Sequence, residues 1–270
     1  MGVIKPRHIE CKSLLTRSGI CDYAVNCYVG CQHACAYCYA RYMKRFTGHT
    51  EPWGTFVDAR INAPYVLAGQ LRRARSGRVF LSSVCDGWQP LEAEYRLTRE
   101  CLRLLVDAGF PVGVLTKSAL VERDLDLLAE GHCDLGVTIT TADEQLRARL
   151  EPEASPSADR VAVLRQAAAR GIPVWAFLGP LLPYLADGED NIEALLGMLE
   201  GIPLTHLHAD KLNLRPGVAK SVGAFIARYY PGLAALYQEL EMDPQAYQDY
   251  ARRLDQRLRR AVARRGLTLR

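Results

Sequence analysis

Apolar residues recur along the chain in two alternating patterns. Short strand-like segments, such as 78–84 and 133–140, predict buried strands. Longer segments with apolar residues three or four positions apart, such as 97–109, predict amphipathic helices. After residue 20 the two patterns alternate about six times. This alternation predicts a parallel sheet whose crossover helices lie on its outer side.

The predicted elements follow one another closely. The strands are expected at 22–30, 78–84, 111–118, 133–140, 172–183 and 205–214. The helices are expected at 62–75, 97–109, 120–129, 143–150, 157–170 and 190–200. Asn62 is the expected N-cap of the first helix, and Gly109 ends the second. No Gly-rich dinucleotide loop follows the first strand, so we expect an α/β fold of the partial (β/α)6 TIM-type barrel rather than a doubly wound sheet.

The pattern becomes purely helical near residue 216. We therefore predict an N-terminal extension over 1–20, a partial barrel over 21–215 and a basic helical C-terminal appendage over 216–270. The last twenty residues carry eight Arg and a single Asp. An apolar stripe of Leu254, Leu258 and Val262 would pack this helix. Its Arg-rich surface is then either solvated or a face that contacts nucleic-acid phosphates.

Composition excludes several classes of protein. Hydrophobic residues make up 49% and charged residues 24% of the chain, which is ordinary for a globular protein with a full core. No run of 18 apolar residues occurs, and the N-terminus lacks the apolar core of a signal peptide. We expect a cytoplasmic protein without a membrane segment. The net charge of +4 is mild.

Cysteine is the residue whose distribution is unusual. Six of the nine cysteines precede residue 40, and an odd, clustered set disfavours a disulfide framework. Cys31, Cys35 and Cys38 have the spacing C-x3-C-x2-C. Three thiolates on one loop can bind a 4Fe–4S cluster and leave one iron open for chemistry. A structural zinc site made of the same thiolates and His33 or a remote ligand is the alternative, although zinc loops more often use C-x2-C pairs.

The motif and its surroundings resemble a known superfamily. C-x3-C-x-Tyr-C at the end of a first strand is similar to the radical S-adenosylmethionine (radical SAM) superfamily. The string NCYVGCQHACAYCYARYM resembles its spore photoproduct lyase-like branch, often described as DNA repair photolyase-like. The resemblance continues through SSVCDGWQPLE, VLTKS, GVTITTAD, LEPEAS and LRPGV, and covers about residues 10–220.

The resemblance implies a mechanism and two cofactors. A reduced 4Fe–4S cluster would give one electron to S-adenosylmethionine chelated at the open iron. The resulting 5′-deoxyadenosyl radical would abstract hydrogen from a substrate, while the protein positions the cofactor and excludes side reactions. The cluster ligands would be Cys31, Cys35 and Cys38. A reductant such as flavodoxin or ferredoxin would be needed.

The resemblance also suggests roles for residues at the strand ends. Cys85 would return a hydrogen atom to the product radical, or else is a small residue that lines the pocket. Asp86 would contact the amino group of S-adenosylmethionine, or else cap the following turn. Lys117 would contact its carboxylate, or else lie in solvent.

Further site residues are assigned in the same way. Tyr37 would shield the cluster and Tyr39 would face the substrate. Thr138 and Thr140 share one face of a strand, where they either bind the methionine moiety or pack the barrel. Arg215 would contact an anionic cofactor or substrate.

The expected substrate is a nucleobase or a DNA lesion. Radical modification of a peptide or a small metabolite is the alternative. A rival of another class is a non-catalytic zinc or iron–sulfur module that binds nucleic acid through the Arg-rich C-terminal helix. The expected brown colour and about four iron atoms per chain distinguish the enzyme from a zinc module.

Overall fold

The computed structural model describes residues 4–269 and contains ten strands and ten α-helices within that range. The strands are β1 Arg7–Ile9, β2 Thr16–Arg17, β3 Tyr23–Val25, β4 Tyr28–Val29, β5 Asp58–Arg60, β6 Val79–Leu81, β7 Val112–Thr116, β8 Cys133–Ile139, β9 Val174–Leu181 and β10 Leu204–Lys211. The helices are α1 Ala63–Leu71, α2 Glu92–Tyr95, α3 Leu97–Asp107, α4 Leu125–Glu130, α5 Glu144–Leu150, α6 Ser157–Ala169, α7 Glu189–Met198, α8 Pro216–Tyr229, α9 Ala234–Met242 and α10 Pro244–Arg264. Short 3-10 helices cover Tyr39–Phe46, Ala119–Asp124 and Pro231–Leu233.

The main sheet confirms the predicted alternation of strands and helices. Strands β3, β6, β7, β8, β9 and β10 pair in parallel and lie side by side in chain order. The short β2 adds an antiparallel edge next to β3. Because neighbouring strands are parallel, their carboxyl ends meet at one edge of the sheet, where the loops can form a site.

The two faces of the sheet differ in chemistry. In β8, Leu135, Val137 and Ile139 alternate with more polar residues and belong to the apolar core of the molecule. Thr138 lies on the other face, where it lines a cavity. The sheet is thus covered on one side by apolar packing and presents side chains with hydrogen-bonding capacity on the other.

The predicted first strand, 22–30, is divided in the structure. Tyr23–Val25 joins the main sheet, whereas Tyr28–Val29 pairs with β5 in a second, three-stranded sheet of order β1-β5-β4. This small sheet was not predicted, because two or three residues per strand are too few to give a periodic pattern. It fixes the chain immediately before the cysteine motif.

The helix predicted at 62–75 ends earlier than expected, and its N-cap residue does not form the expected capping hydrogen bond. It spans Ala63–Leu71, and Asn62 stands at its N-cap without a capping hydrogen bond. The Asn62 side chain instead accepts from the Cys11 N–H and donates to the Cys11 carbonyl. Tertiary contacts with the N-terminal extension have displaced the local cap.

The C-terminal helices pack onto the same core as the sheet. Leu254, Leu258 and Val262 of α10 are buried and belong to the main apolar cluster. Helix α10 contacts α7 and β10. Among residues 4–269, no helix is both long enough and apolar enough to span a membrane.

Candidate active site

The cysteine motif forms a tight loop directly after β4. Gly30 has a φ of +89°, and a Cβ at this position would lie 2.5 Å from the carbonyl oxygen of Phe56. Only glycine therefore allows the chain to turn here. Cys31 and Cys35 are buried, Cys38 is half-buried, and all three are free thiols.

The three thiols line one cavity of about 590 Å³. Its wall also contains Cys85 and Asp86 after β6, Lys117 after β7 and Thr138 in β8. These residues come from the carboxyl ends of successive parallel strands or from the loops that follow them, which explains why distant segments of sequence meet here. The cavity is large enough for a cofactor of drug-like size.

The donor set has the chemistry of an iron–sulfur ligand loop. Thiolates are the usual protein ligands of 4Fe–4S clusters, and each binds a different iron atom. Within residues 4–269, no three His, Cys, Asp or Glu side chains stand close enough to bind a single metal ion. His33 Nε2 and Ser82 Oγ are buried beside the same cavity without hydrogen-bond partners in this range. These orphaned polar atoms suit a site that receives a polar group.

A buried polar cluster supports the loop from behind. Tyr37 donates its hydroxyl hydrogen to Glu151, and its oxygen lies 3.0 Å from Thr140 Oγ1. Thr140 in turn donates to Glu151. Arg160 Nη2 lies 2.5 Å from Glu151 Oε2, and neither side chain is exposed. Tyr37 and Thr140, predicted at the cofactor, thus hydrogen-bond to this internal ion pair.

The charges of this cluster determine how Glu151 ionises. Burial raises the pKa of Glu151, but the positive charges of Arg160 and Lys117 and the hydrogen bond from Tyr37 outweigh it. The net effect lowers the pKa of Glu151 to about 2. Glu151 is therefore an anion that neutralises cations, and it is not a proton donor near neutral pH.

Asp86 connects the ends of two strands. Its Oδ1 accepts from Thr116 Oγ1 at 2.7 Å and from the Trp88 N–H, and its Oδ2 accepts from the Lys117 N–H. His33 Nδ1 lies 3.4 Å from the same Oδ2. The carboxylate lines the cavity, but much of its hydrogen-bonding capacity is used by the protein. The alternative role of Asp86 was to cap the following turn, and the hydrogen bond that it accepts from the Trp88 N–H is a contact of this kind.

The ammonium group of Lys117 lies over the aromatic ring of Tyr37. Its Nζ lies 5.8 Å from the ring centroid. Burial lowers the pKa of Lys117, but Cys35, Glu151 and Asp86 together outweigh burial, and the net pKa is raised. The ammonium group forms no ion pair within 4 Å in the described part of the chain. Lys117 is half-buried, and a cation that lines a cavity without a direct carboxylate partner suits an anionic ligand.

Cys85 also lines the cavity and lies beside Asn26. Its Sγ is 3.9 Å from Asn26 Oδ1, which also accepts from the N–H groups of Ser83 and Val84. Burial raises the pKa of Cys85 to about 12. The side chain is therefore a neutral S–H near neutral pH.

Tyr39 and Arg215 lie towards the outside of this site. The Tyr39 side chain is 53% exposed, and its hydroxyl donates to the Ser83 carbonyl. It lines both the main cavity and a second cavity of about 540 Å³. Arg215 lines only the second cavity. Its predicted contact with an anion is therefore placed outside the cavity that holds the cysteines.

The far wall of the main cavity is aromatic. Trp175 stacks on His206 with 5.3 Å between ring centroids, and His208 packs against Trp175 edge-on at 5.5 Å. Phe177 lies near His208. The alternation of His206 and His208 along β10 predicts their shared face, and the structure adds that Trp175 of β9 joins them.

Arg160 is the main residue that the sequence gives no reason to select. It lies on α6, where its sequence pattern does not distinguish it from the exposed Arg165, and it forms its buried ion pair only because the fold brings Glu151 to it. The fragment LEPEAS singles out Glu151 without giving it a role. Its role depends on Tyr37, which is 114 positions away in the chain.

Comparisons with known proteins agree with this geometry. The sequence profile of the radical SAM superfamily matches residues 25–196. The uncharacterised protein MJ0683 of Methanocaldococcus jannaschii is 32% identical over 211 residues, which cover 77% of this chain and 76% of that protein. The uncharacterised protein Rv2578c of Mycobacterium tuberculosis is 30% identical over 226 residues, which cover 81% of this chain and 66% of that protein.

Solved structures share the fold. A variant of spore photoproduct lyase superposes with a TM-score of 0.70 at 15% identity, covering 95% of this chain and 78% of the lyase. A second variant, with bound AdoMet and dinucleoside spore photoproduct, gives a TM-score of 0.69 at 15% identity and the same coverage. Because the superfamily profile matches more than half of the chain, this chain belongs to the radical SAM superfamily and is an enzyme.

Proposed function

We propose that this enzyme cleaves S-adenosylmethionine reductively at a 4Fe–4S cluster held by Cys31, Cys35 and Cys38. The observation that carries the proposal is the cavity that all three free thiols line, together with the half-buried Lys117. The cluster would supply one electron to the sulfonium group, and a 5′-deoxyadenosyl radical would then abstract hydrogen from the substrate. The parallel sheet would serve as a partial barrel around this chemistry.

The residues of the cavity can bind and orient the cofactor. The ammonium of Lys117 suits its carboxylate, and the Tyr37 ring lies beside this ammonium group. Asp86 can accept from the amino group, and Thr138 can hydrogen-bond to the methionine moiety. Thr140 would act indirectly, because its hydroxyl contacts Tyr37 and donates to Glu151, which accepts from the same tyrosine.

Cys85 would act after hydrogen abstraction. A neutral thiol can donate a hydrogen atom, and the raised pKa keeps Cys85 in that form. Tyr39, half-exposed at the border of the cavity, would contact the substrate as it enters. The electron would come from a reductant such as flavodoxin or ferredoxin.

The proposed substrate is a nucleobase or a nucleic-acid lesion. The motif resemblance and the shared fold of a lyase that binds a dinucleoside photoproduct support this choice. The aromatic wall of Trp175, Phe177, His206 and His208 can stack on a planar base. Nucleic acid would be the macromolecular partner, bound either by the Arg-rich C-terminal helix or closer to the cavity.

Anaerobic reconstitution tests the central step. We expect a brown protein with about four iron atoms per chain, which forms 5′-deoxyadenosine when dithionite and S-adenosylmethionine are added. A Cys31→Ala/Cys35→Ala/Cys38→Ala variant should lose both properties. The matched control is Cys101→Ala, which removes a buried thiol outside the cavity. A colourless wild-type protein with one zinc atom would instead support a non-catalytic metal-binding module.

A further inference from the structure

A second cavity, which we call the basic cavity, opens beside the active site. Its volume is about 540 Å³. Four of its nine lining residues are cations and three are aromatic, and none is acidic. The lining residues are Tyr39, Arg41, Tyr42, Lys44, Arg45, Trp53, Arg215, Gly217 and Val218.

Two of the four cations are not used to hold the fold together. Arg41 donates to the carbonyls of Cys35, Ala36 and Cys38, and Lys44 donates to the Thr50 carbonyl. Arg45 and Arg215 are exposed. Neither has a carboxylate partner among residues 4–269.

Exposed aromatic rings surround Arg45. Its guanidinium carbon lies 5.5 Å from the ring centroid of Tyr42 and 4.5 Å from that of Phe46. Tyr42 is 43% exposed and Phe46 is 66% exposed. Cations interleaved with exposed rings are the surface on which single-stranded nucleic acids bind, because phosphates pair with the cations and unstacked bases lie on the rings.

The Arg-rich C-terminal helix has a different charge environment. Five of its arginines form ion pairs with carboxylates of this chain, and these are Arg252, Arg257, Arg259, Arg264 and Arg265. Such pairs cancel much of the field that would attract phosphates. The basic cavity, in contrast, contains no counter-charge among its lining residues.

The basic cavity adjoins the active site. Tyr39 and Val218 line both cavities. A strand whose backbone lies along Arg45 and Arg215 could therefore direct one base past Tyr39 towards the cysteine loop.

We propose that the basic cavity binds the sugar–phosphate backbone of a single-stranded nucleic acid, whose target base enters the main cavity past Tyr39. This inference rests on the proposed function, since it names the binding surface for the nucleic-acid substrate. The Arg-rich helix is then a packed structural element, and it is not the binding face.

Fluorescence anisotropy with a labelled oligothymidylate of about 12 nucleotides tests the inference on the reconstituted full-length protein. We expect Arg45→Gln/Arg215→Gln to raise the Kd by about tenfold and to lower the salt slope by about 1.4, since each lost phosphate contact removes about 0.7. The matched control is Arg253→Gln/Arg260→Gln on α10, which removes the same charge from exposed arginines that have no carboxylate partner within the described part of the chain. Its Kd should stay within about twofold of wild type.

Three results would overturn the inference. The first is an equal loss of affinity in both variants, and the second is a larger loss in the α10 variant. The third is equal affinity of the wild type for a labelled poly-glutamate peptide of matched charge, which would identify an unspecific anion surface or a peptide site. Thermal unfolding of each variant checks that the fold is intact. Formation of 5′-deoxyadenosine by the wild type is scored separately, so failure of the radical chemistry and failure of the binding site are distinguishable.

Discussion

Glu151 and Arg160 form a fully buried ion pair, with 2.5 Å between Arg160 Nη2 and Glu151 Oε2. The same carboxylate accepts the hydroxyl hydrogen of Tyr37, which lies between Cys35 and Cys38. The ion pair thereby holds the cysteine loop against the end of β8. Glu151 also supplies the negative charge that balances the positive charges of Arg160 and Lys117 beneath the cavity.

Removing the positive charge of Arg160 should strongly destabilise the protein. Arg160→Met leaves Glu151 buried without its partner, and we expect a loss of about 3–5 kcal/mol in the free energy of unfolding. Arg165→Met on the same helix is the control, because Arg165 is exposed and donates only to the Met198 carbonyl. It should cost less than about 1 kcal/mol. Denaturant titration measures both, and similar losses would contradict a special role for the buried pair.

The same pair predicts a dependence of stability on acid. The pKa of Glu151 is about 2 in the folded protein, below its ordinary value of 4.5. The ionised group therefore stabilises the fold above about pH 4.5, and this contribution is lost as the pH falls towards 2. The difference in unfolding free energy between wild type and Glu151→Gln should shrink between pH 5 and pH 2.

The control for this pH dependence is Glu153→Gln. Glu153 is exposed and lies two positions further along the chain. Its difference from wild type should stay small and nearly flat over the same pH range. A Glu151→Gln difference that is equally flat would show that Arg160 does not hold the pKa of Glu151 below its usual range.

Lys117 should determine the affinity for S-adenosylmethionine. Loss of a charge-assisted hydrogen bond to a carboxylate costs about 1.5–3 kcal/mol, so Lys117→Met should raise the Kd by about tenfold or more. Lys211→Met is the matched control, since Lys211 lines the same cavity from β10. Anaerobic equilibrium dialysis measures both. Equal effects would indicate a general influence of positive charge rather than a directed contact.

The thiol of Cys85 should react slowly with alkylating agents. With its pKa raised to about 12 by burial, the thiolate fraction at pH 8 is small. Iodoacetamide should modify Cys85 at least about a hundredfold more slowly than free cysteine, measured by peptide mapping over time. Rapid modification at pH 8 would show that the group is ionised, and that the neutral hydrogen donor required by the proposal is absent.

Much of the fold could be predicted because strands and helices have local signatures. Short strand-like segments that alternate with helical ones predicted the six parallel strands of the main sheet, and the 3.6-residue periodicity predicted α3, α6 and α7 close to their observed bounds. The division of 22–30 between two sheets could not be predicted, because it depends on pairing with Asp58–Arg60. Asn62 also lost its expected capping role to a distant partner, Cys11.

Sequence alone determined the cysteine loop, since spacing on a continuous segment fixes which thiols can share one centre. It also determined that Lys117, Thr138 and Cys85 would lie near that loop, because the carboxyl ends of parallel strands meet at one edge. Only the tertiary structure decided that Glu151 is ionised by Arg160 and that Arg215 lines a separate basic cavity. Burial and charge compensation arise between residues far apart in the chain, and no local pattern encodes them.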